Sequence, residues 1–209
     1  MEHLSTSMGT KEQQPNIDLA IRLATSRDKK TVAEIAKNLQ SDDNLIAGDC
    51  IKVLYEVGRI EPEMIAEYGD EFLLLLSSKN NRMIWGAMYA LAEIAPLKTQ
   101  LIDDNFDKIV KAYKTGSVIT IDSCISVFAH IAKADAGNSQ KAYDMIISHL
   151  KNCRAKEIPQ HSEKAFACIN GGNYMEFERI LESRFDEMSA SQQKRVKKIL
   201  EKIGKREFE

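Results

Sequence analysis

The chain has 209 residues, of which 44% are hydrophobic, and it contains only 10 glycines and 4 prolines. This composition supplies a core and excludes collagen-like, disordered and turn-rich all-β proteins. With 29 Lys and Arg residues against 31 Asp and Glu residues, the net charge of -2 gives no global attraction to nucleic acid or to an anionic membrane. No apolar stretch is long enough to span a bilayer and no secretory signal opens the sequence, so we expect a cytoplasmic protein without membrane contacts.

The first segments of the chain are the least regular. We predict a disordered tail over residues 1–15, followed by a first helical unit over 16–40. Pro15 stands where a first helix begins, because its missing N–H is tolerated at that position. A second stripe of apolar residues at helical spacing follows, made by Val32, Ile35, Ala36 and Leu39.

From residue 41 onward the apolar pattern repeats every 37 residues. Apolar residues recur at i, i+4 and i+7 in three successive sets, namely Cys50, Leu54 and Val57, then Ala87, Leu91 and Ile94, then Cys124, Phe128 and Ile131. This spacing predicts one buried face of a helix. A second stripe recurs in each repeat, at Phe72, Leu73 and Leu76, at Ile109, Val110 and Tyr113, and at Ile146, Ile147 and Leu150.

Each repeat is therefore predicted to be a pair of helices, which we call outer (the first) and inner (the second). The units run over 41–79, 80–116 and 117–155, and a fourth with drifting spacing covers 156–188 around Gly171 and Gly172. Neither helix of a pair can bury its stripe alone, so neighbouring units must stack.

Short polar and small residues mark the predicted helix ends. Ser41 and Asp42 are suited to begin the first outer helix and Gly58 to end it. Asp103 or Asp104 is predicted to precede the helix near Phe106.

One segment carries conflicting signals. The run Val118-Ile119-Thr120-Ile121 is β-branched and favours a strand when taken alone. The repeat register instead places it in the first turns of the third outer helix, which opens at Ser117. We therefore predict a helix there.

The last segment, 189–209, is predicted to be a capping helix. Ser189 and Gln192 form a capping-box pattern at its start. Its apolar stripe is Val196, Ile199, Leu200 and Ile203, and its other faces carry the basic residues Lys194, Arg195, Lys197, Lys198, Lys202, Lys205 and Arg206. A highly charged helix over the last unit is what the end of a repeat array requires.

The stretch from Arg82 to Ala95 resembles the first helix of a HEAT repeat, and Cys50 to Gly58 is similar to it. The period lies near the HEAT/armadillo range. The resemblance covers about residues 30 to 188. It implies an all-α fold, a right-handed α-α superhelix (solenoid) of HEAT-like helical pairs. HEAT-like solenoids mostly present a surface to other macromolecules, so the resemblance implies a scaffold function.

Three enzyme groups share this architecture. Deoxyhypusine hydroxylase takes its iron ligands from His-Glu dipeptides, and no histidine of this chain precedes Glu, which excludes that enzyme. His3 and His149 precede Leu, His130 precedes Ile and His161 precedes Ser. HEAT-like alkylpurine DNA glycosylases combine a cationic groove with aromatic residues around a catalytic carboxylate. Trp85 is the only tryptophan of this chain, and the glycosylase relation stays open as an alternative. HEAT-like bilin lyases also stay open.

An acidic row is the first candidate binding site. Asp70, Asp107 and Asp144 stand 37 residues apart, each two positions before the inner-helix stripe, and Glu178 takes the same place in the last unit. One interpretation is a row that grips a basic partner. The other is structural, because an Asp in the first turn of a helix favours the helix dipole.

A basic strip is the second candidate. Lys108, Lys111 and Lys114 recur at i, i+3 and i+6, and Lys151 and Arg154 follow near the end of the next inner helix. These side chains suit phosphate or nucleic acid. Lysines at such spacing also make an ordinary solvated face, and positive charge is favoured in a last helical turn.

His149 and Cys153 stand at i, i+4 and offer two metal ligands, which do not make a site by themselves. We find no catalytic set, so the sequence predicts no metal and no cofactor and favours a protein without enzymatic activity. The predicted function is a non-enzymatic scaffold that binds a protein partner through its inner-helix face. The alternative is a nucleic-acid-binding protein related to the glycosylases.

Overall fold

The computed structural model describes residues 2–134 and 136–205, so the predictions that concern Arg206 and the last three residues lie outside it. Every regular element within those ranges is helical. The α-helices are α1 Gln14–Ser26, α2 Lys29–Lys37, α3 Asn44–Ile60, α4 Gly69–Leu75, α5 Asn81–Ile94, α6 Thr99–Asp104, α7 Phe106–Thr115, α8 Val118–Lys133, α9 Ser139–Asn152, α10 Ile158–Ala165, α11 Tyr174–Ser183 and α12 Ala190–Gly204. Short 3-10 turns join several of them.

The helix pairs predicted from the repeat are present. The outer helices are α3, α5, α8 and α10, and the inner helices are α4, α7, α9 and α11. The short helix α6 is added between α5 and α7. All nine residues of the repeated outer-helix stripe, from Cys50 to Ile131, are at most 1% exposed. The 37-residue register therefore does identify the buried faces.

The β-branched run at Val118 is helical, as the register predicts. The helix α8 begins at Val118, and the Thr120 N–H donates to Ser117 Oγ at 3.3 Å. Burial of the outer-helix stripe outweighs the local strand preference, because tertiary packing decides weak propensities.

Some predicted helix ends are displaced by a few residues. The helix α3 is capped by Asp43, whose Oδ1 accepts from the Leu45 N–H at 2.8 Å, rather than by Ser41 or Asp42. Gly58 lies inside α3, which continues to Ile60. A Cβ at Gly58 would stand 2.5 Å from Ile65 Cδ1, so this glycine permits a close approach and does not end the helix. The residue that precedes α7 is Asn105, and not Asp103 or Asp104 as predicted.

The capping box of the last helix is present, with the Ser189 N–H donating to Gln192 Oε1 at 2.8 Å. The stripe of α12 is buried at Val196, Ile199 and Ile203, and this helix packs on α10. Within the described residues, α12 and every other helix are too short or too polar to cross a bilayer.

The N-terminal segment differs from the disorder expected over 1–15. The Leu4 side chain is 0% exposed, and the Ser5 N–H donates to Asn16 Oδ1 at 3.0 Å. The Thr6 N–H donates to Asp49 Oδ2 at 2.7 Å. Two polar side chains of α1 and α3 thus take up backbone donors of a segment whose own sequence is not periodic.

Apart from its helical repeats, the chain divides into two larger compact parts. The part that ends at Cys124 is called the first unit below, and the part that starts at Ile125 is called the second unit. In the first unit α3 is central and packs against α1, α2 and α5. In the second unit α9 packs against α10 and α11, and α10 and α11 both contact α12.

Candidate functional site

The residues of the predicted acidic row lie on all four inner helices. Asp70 and Asp107 occupy the first turns of α4 and α7, whereas Asp144 and Glu178 lie in the middle of α9 and α11. The three aspartates are exposed and Glu178 is half-buried. The helix-dipole explanation applies to Asp70 and Asp107, which leaves Asp144 and Glu178 without that structural role.

The residues of the predicted basic strip differ in their surroundings. Lys108, Lys111 and Lys114 are exposed along α7. Lys151 Nζ lies 3.4 Å from Glu176 Oε1, and Arg154 Nε donates to Glu157 Oε1 at 2.8 Å. Both of these cations therefore already have a carboxylate beside them, which lowers the positive potential available to a phosphate.

Trp85, the aromatic residue of the glycosylase alternative, belongs to a cluster of aromatic side chains. Its ring lies 6.0 Å from Tyr55 and 6.0 Å from Tyr89, the latter in an edge-to-face arrangement. Tyr55 and Tyr89 stack at 5.1 Å. These contacts give Trp85 a packing role on α5.

A groove of about 640 Å³ opens beside the inner helices α9 and α11. It is predominantly polar and is lined by Ala132, Ser139, Gln140, Tyr143, Asn170, Gly172, Asn173, Met175, Glu176 and Arg179. Met175 is 61% exposed and offers an apolar contact among the amides and charges. Such a mixture suits a ligand with a polar main chain and varied side chains.

The loop that forms one wall of this groove is held by its own asparagines. Asn173 Oδ1 accepts from the Asn170 N–H at 2.8 Å, and Asn170 Oδ1 accepts from the Gly172 N–H at 2.8 Å. Tyr143 Oη donates to the Asn173 carbonyl at 3.0 Å and so ties the loop to α9. The wall is therefore formed in advance of any ligand, although two adjacent glycines would by themselves make it mobile.

Two residues predicted from the sequence are joined to the groove by a single contact each. Gln140, which lines the groove, donates from Nε2 to Asp144 Oδ1 at 2.8 Å. Glu176, which also lines it, forms the ion pair with Lys151. Sequence reasoning identified Asp144 and Lys151 but missed the groove, because Gly171 and Gly172 were noted only as the place where the repeat spacing drifts.

A second site in the same unit brings together two buried histidines and a cysteine. His149 Nε2 and His161 Nδ1 lie 2.7 Å apart, and their ring centroids are 4.7 Å apart. These two nitrogens and Cys153 Sγ all lie within 4.8 Å of one another. The sequence suggested the i, i+4 pair of His149 and Cys153, but His161 comes from α10 and no spacing rule connects it to α9.

Burial and neighbouring charges set the protonation of this cluster. Burial, aided by His161, lowers the pKa of His149 to about 4, so its imidazole is neutral at pH 7. Burial raises the pKa of the Cys153 thiol, and the Arg184 guanidinium, with Nη1 3.9 Å from Sγ, opposes that rise. The same Arg184 nitrogen donates to the Leu150 carbonyl at 2.8 Å and so binds the last turn of α9.

Similar folds are found among solved structures. A designed armadillo repeat protein in complex with the peptide (KR)4 superposes with a TM-score of 0.64, at 18% identity over 90% of this chain and 91% of that one. Computationally designed armadillo repeat proteins for modular peptide recognition give a TM-score of 0.62 at 17% identity, over 90% and 92% of the two chains.

The fold is a HEAT/armadillo-type helical repeat. An engineered protein adds a third match, with a TM-score of 0.62 at 19% identity over 92% of this chain and 90% of that one. At these identities the likeness concerns the fold alone. No protein-family profile matches the sequence, and no curated protein matches it either.

Proposed function

We propose that this protein is a non-enzymatic binding module that holds an extended, basic segment of a partner protein along its inner-helix face. The observation that carries the proposal is the groove beside α9 and α11, with Asp144 and Glu176 at or next to its lining. The preformed loop wall supports it, because a rigid site loses less conformational entropy on binding.

The lining of the groove favours a peptide backbone. Gln140 and Asn170 place amide groups along the lining, and such groups pair with the N–H and C=O groups of a peptide backbone. The exposed Met175 provides a flexible apolar contact for a side chain of the segment.

The charges of the inner helices favour a basic segment. The helix α11 carries Glu176, Glu178 and Glu182 against one cation, Arg179. Asp144 adds a further exposed carboxylate on α9. The (KR)4 peptide, which one protein of similar fold binds, is therefore a suitable probe.

The first test measures binding of fluorescently labelled (KR)4 by anisotropy at low and high salt. We expect salt-sensitive binding, and we expect Asp144→Asn to weaken it about 1.5- to fivefold, because one exposed charge pair contributes about 0.2–1 kcal/mol. Asp104→Asn is the matched control, since Gln100 Nε2 donates to Asp104 Oδ1 at 2.7 Å just as Gln140 does to Asp144. An equal effect of the two variants, or no salt-sensitive binding of (KR)4, would contradict the proposal.

The second test uses Lys151→Ala, which separates the proposal from the nucleic-acid alternative. Removal of Lys151 frees the carboxylate of Glu176, so binding of (KR)4 should become about twofold tighter. If the basic strip binds nucleic acid, the same variant should instead weaken salt-sensitive binding of duplex DNA. Weaker binding of (KR)4 together with weaker binding of DNA would favour the alternative.

A further inference from the structure

The cluster of His149, Cys153 and His161 has no part in the proposed peptide groove. Its two imidazoles are 6% and 2% exposed, so they are removed from solvent inside the second unit. Buried polar groups require partners. Here two ring nitrogens, 2.7 Å apart, and a sulfur all lie within 4.8 Å of one another.

We propose that His149 Nε2, Cys153 Sγ and His161 Nδ1 bind a zinc ion. Imidazole nitrogen and thiolate sulfur are ligands of borderline and soft metals, and this donor set excludes calcium and magnesium, which require oxygen. Zinc accepts such sets in tetrahedral geometry, and three protein ligands leave the fourth position to a water. Cys153 is only half-buried, so solvent reaches that side of the cluster.

The geometry requires a small adjustment to admit the ion. The two nitrogens are 2.7 Å apart and share a hydrogen atom. Zinc–nitrogen bonds of about 2.0–2.1 Å at the tetrahedral angle place two ligand nitrogens about 3.3 Å apart, so the rings must separate slightly. On binding, the shared hydrogen passes to the other nitrogen of its ring, and the thiol proton leaves to solvent as the Zn–S bond forms.

Two charged side chains next to the cluster act on its ligands. The negative charge of Glu157, which is also paired with Arg154, acts on His149 and Cys153. Arg184 Nη1 stands 3.9 Å from Cys153 Sγ, where it supports a thiolate, and its own charge is met by Glu187, with Nη2 2.6 Å from Oε2. A hydrogen bond to the thiolate is one of the features that hold metal ligands in place.

Cobalt(II) is the probe for this site, because it replaces zinc and absorbs visible light. The full chain is reduced, freed of metal with a chelator and titrated with Co2+. We expect saturation at one ion per chain, with the visible bands of tetrahedral cobalt and a thiolate-to-cobalt charge-transfer band in the near ultraviolet. Added Zn2+ should abolish both.

The variants assign the signal to individual ligands. Cys153→Ser should remove the charge-transfer band, and His161→Asn should weaken Co2+ binding at least tenfold. Cys168→Ala is the control, because this thiol is buried in the same unit with Sγ 3.1 Å from the Ala165 carbonyl, and the variant should retain the full signal. Circular dichroism verifies that each variant is folded.

A parallel sample is refolded from urea in the presence of Co2+, so that a site closed in the native state is also reached. A charge-transfer band that persists in Cys153→Ser would overturn the proposal. So would the absence of saturable absorption in both the native and the refolded samples.

Discussion

The carboxylate of Asp49 connects three segments of the first unit. It is 1% exposed, and it accepts hydrogen bonds from the Thr6 N–H at 2.7 Å and from Arg82 Nη2 at 2.9 Å. Burial alone would raise the pKa of Asp49, but the hydrogen bonds from Thr6, Asn16 and Arg82 outweigh it and hold the pKa below its ordinary value. The buried charge therefore stabilises the fold only while its partners remain.

Arg82→Met tests this dependence. The variant leaves the Asp49 carboxylate buried with fewer donors, so we expect the free energy of unfolding to fall by about 2–4 kcal/mol, as measured by urea denaturation. Arg195→Met is the comparison, because Arg195 meets Glu163 in a pair that is about half exposed, with side-chain exposures of 47% and 45%. That variant should lose less than about 1 kcal/mol. Equal losses would show that Asp49 does not depend on Arg82.

At this scale the sequence predicted little. Leu4 was predicted to lie in a disordered tail, because its partners become visible only when α1 and α3 are side by side. His161 was passed over for the same reason. A residue that works through a contact from another helix leaves no periodic signal in its own segment.

Close approach between outer helices depends on glycine. A Cβ on Gly86 of α5 would stand 2.7 Å from Ile51 Cγ1 and 3.1 Å from Ile51 Cγ2, both within the core of the first unit. Ile51 is 0% exposed and branched at Cβ, so it has little freedom to move away. The spacing of α3 and α5 is thus set at Gly86.

Gly86→Ala should therefore destabilise the protein by about 1–3 kcal/mol in thermal or urea denaturation, because the added methyl group overpacks the interface. Gly204→Ala is the control, since Gly204 is likewise a helical residue, at the end of α12, but a Cβ there would meet nothing within 4 Å. It should be neutral, or stabilising by up to about 1 kcal/mol, because alanine is the better helix former. A Gly86 variant as stable as the original chain would mean that Ile51 relaxes freely.

The elements themselves were largely predictable. Repeated stripes at i, i+4 and i+7 identified the outer helices. The repeat register also correctly predicted a helix at Val118, where the local sequence favours a strand. The short helix α6 was not foreseen, because it lies between the repeated stripes. The continuation of α3 beyond Gly58 was not foreseen either, because the close approach of Ile65 to this glycine comes from tertiary packing.

For the whole molecule, composition and repeat period were sufficient to predict an all-α repeat fold, and structures of similar fold confirm it. The candidate sites were harder to predict from the sequence. Asp144 and Lys151 were found from their register, but the groove also needs a loop some thirty residues later in the chain, at Asn170 to Asn173. The net charge of -2 also gave no sign of the local excess of carboxylates on α11, because it is summed over the whole chain.

The register position of Gly86 holds a different residue in each repeat, and this difference limits how the protein can be redesigned. Its equivalents in the neighbouring repeats, 37 residues away on either side, are Asp49 and Ser123, and all three are buried. In one repeat this register position is Asp49, which binds the segment at Thr6. In the next repeat it is Gly86, which leaves room for Ile51 of the neighbouring helix. A consensus repeat has a single residue at this position and would remove the roles of both Asp49 and Gly86, so this protein cannot be redesigned from one idealised repeat.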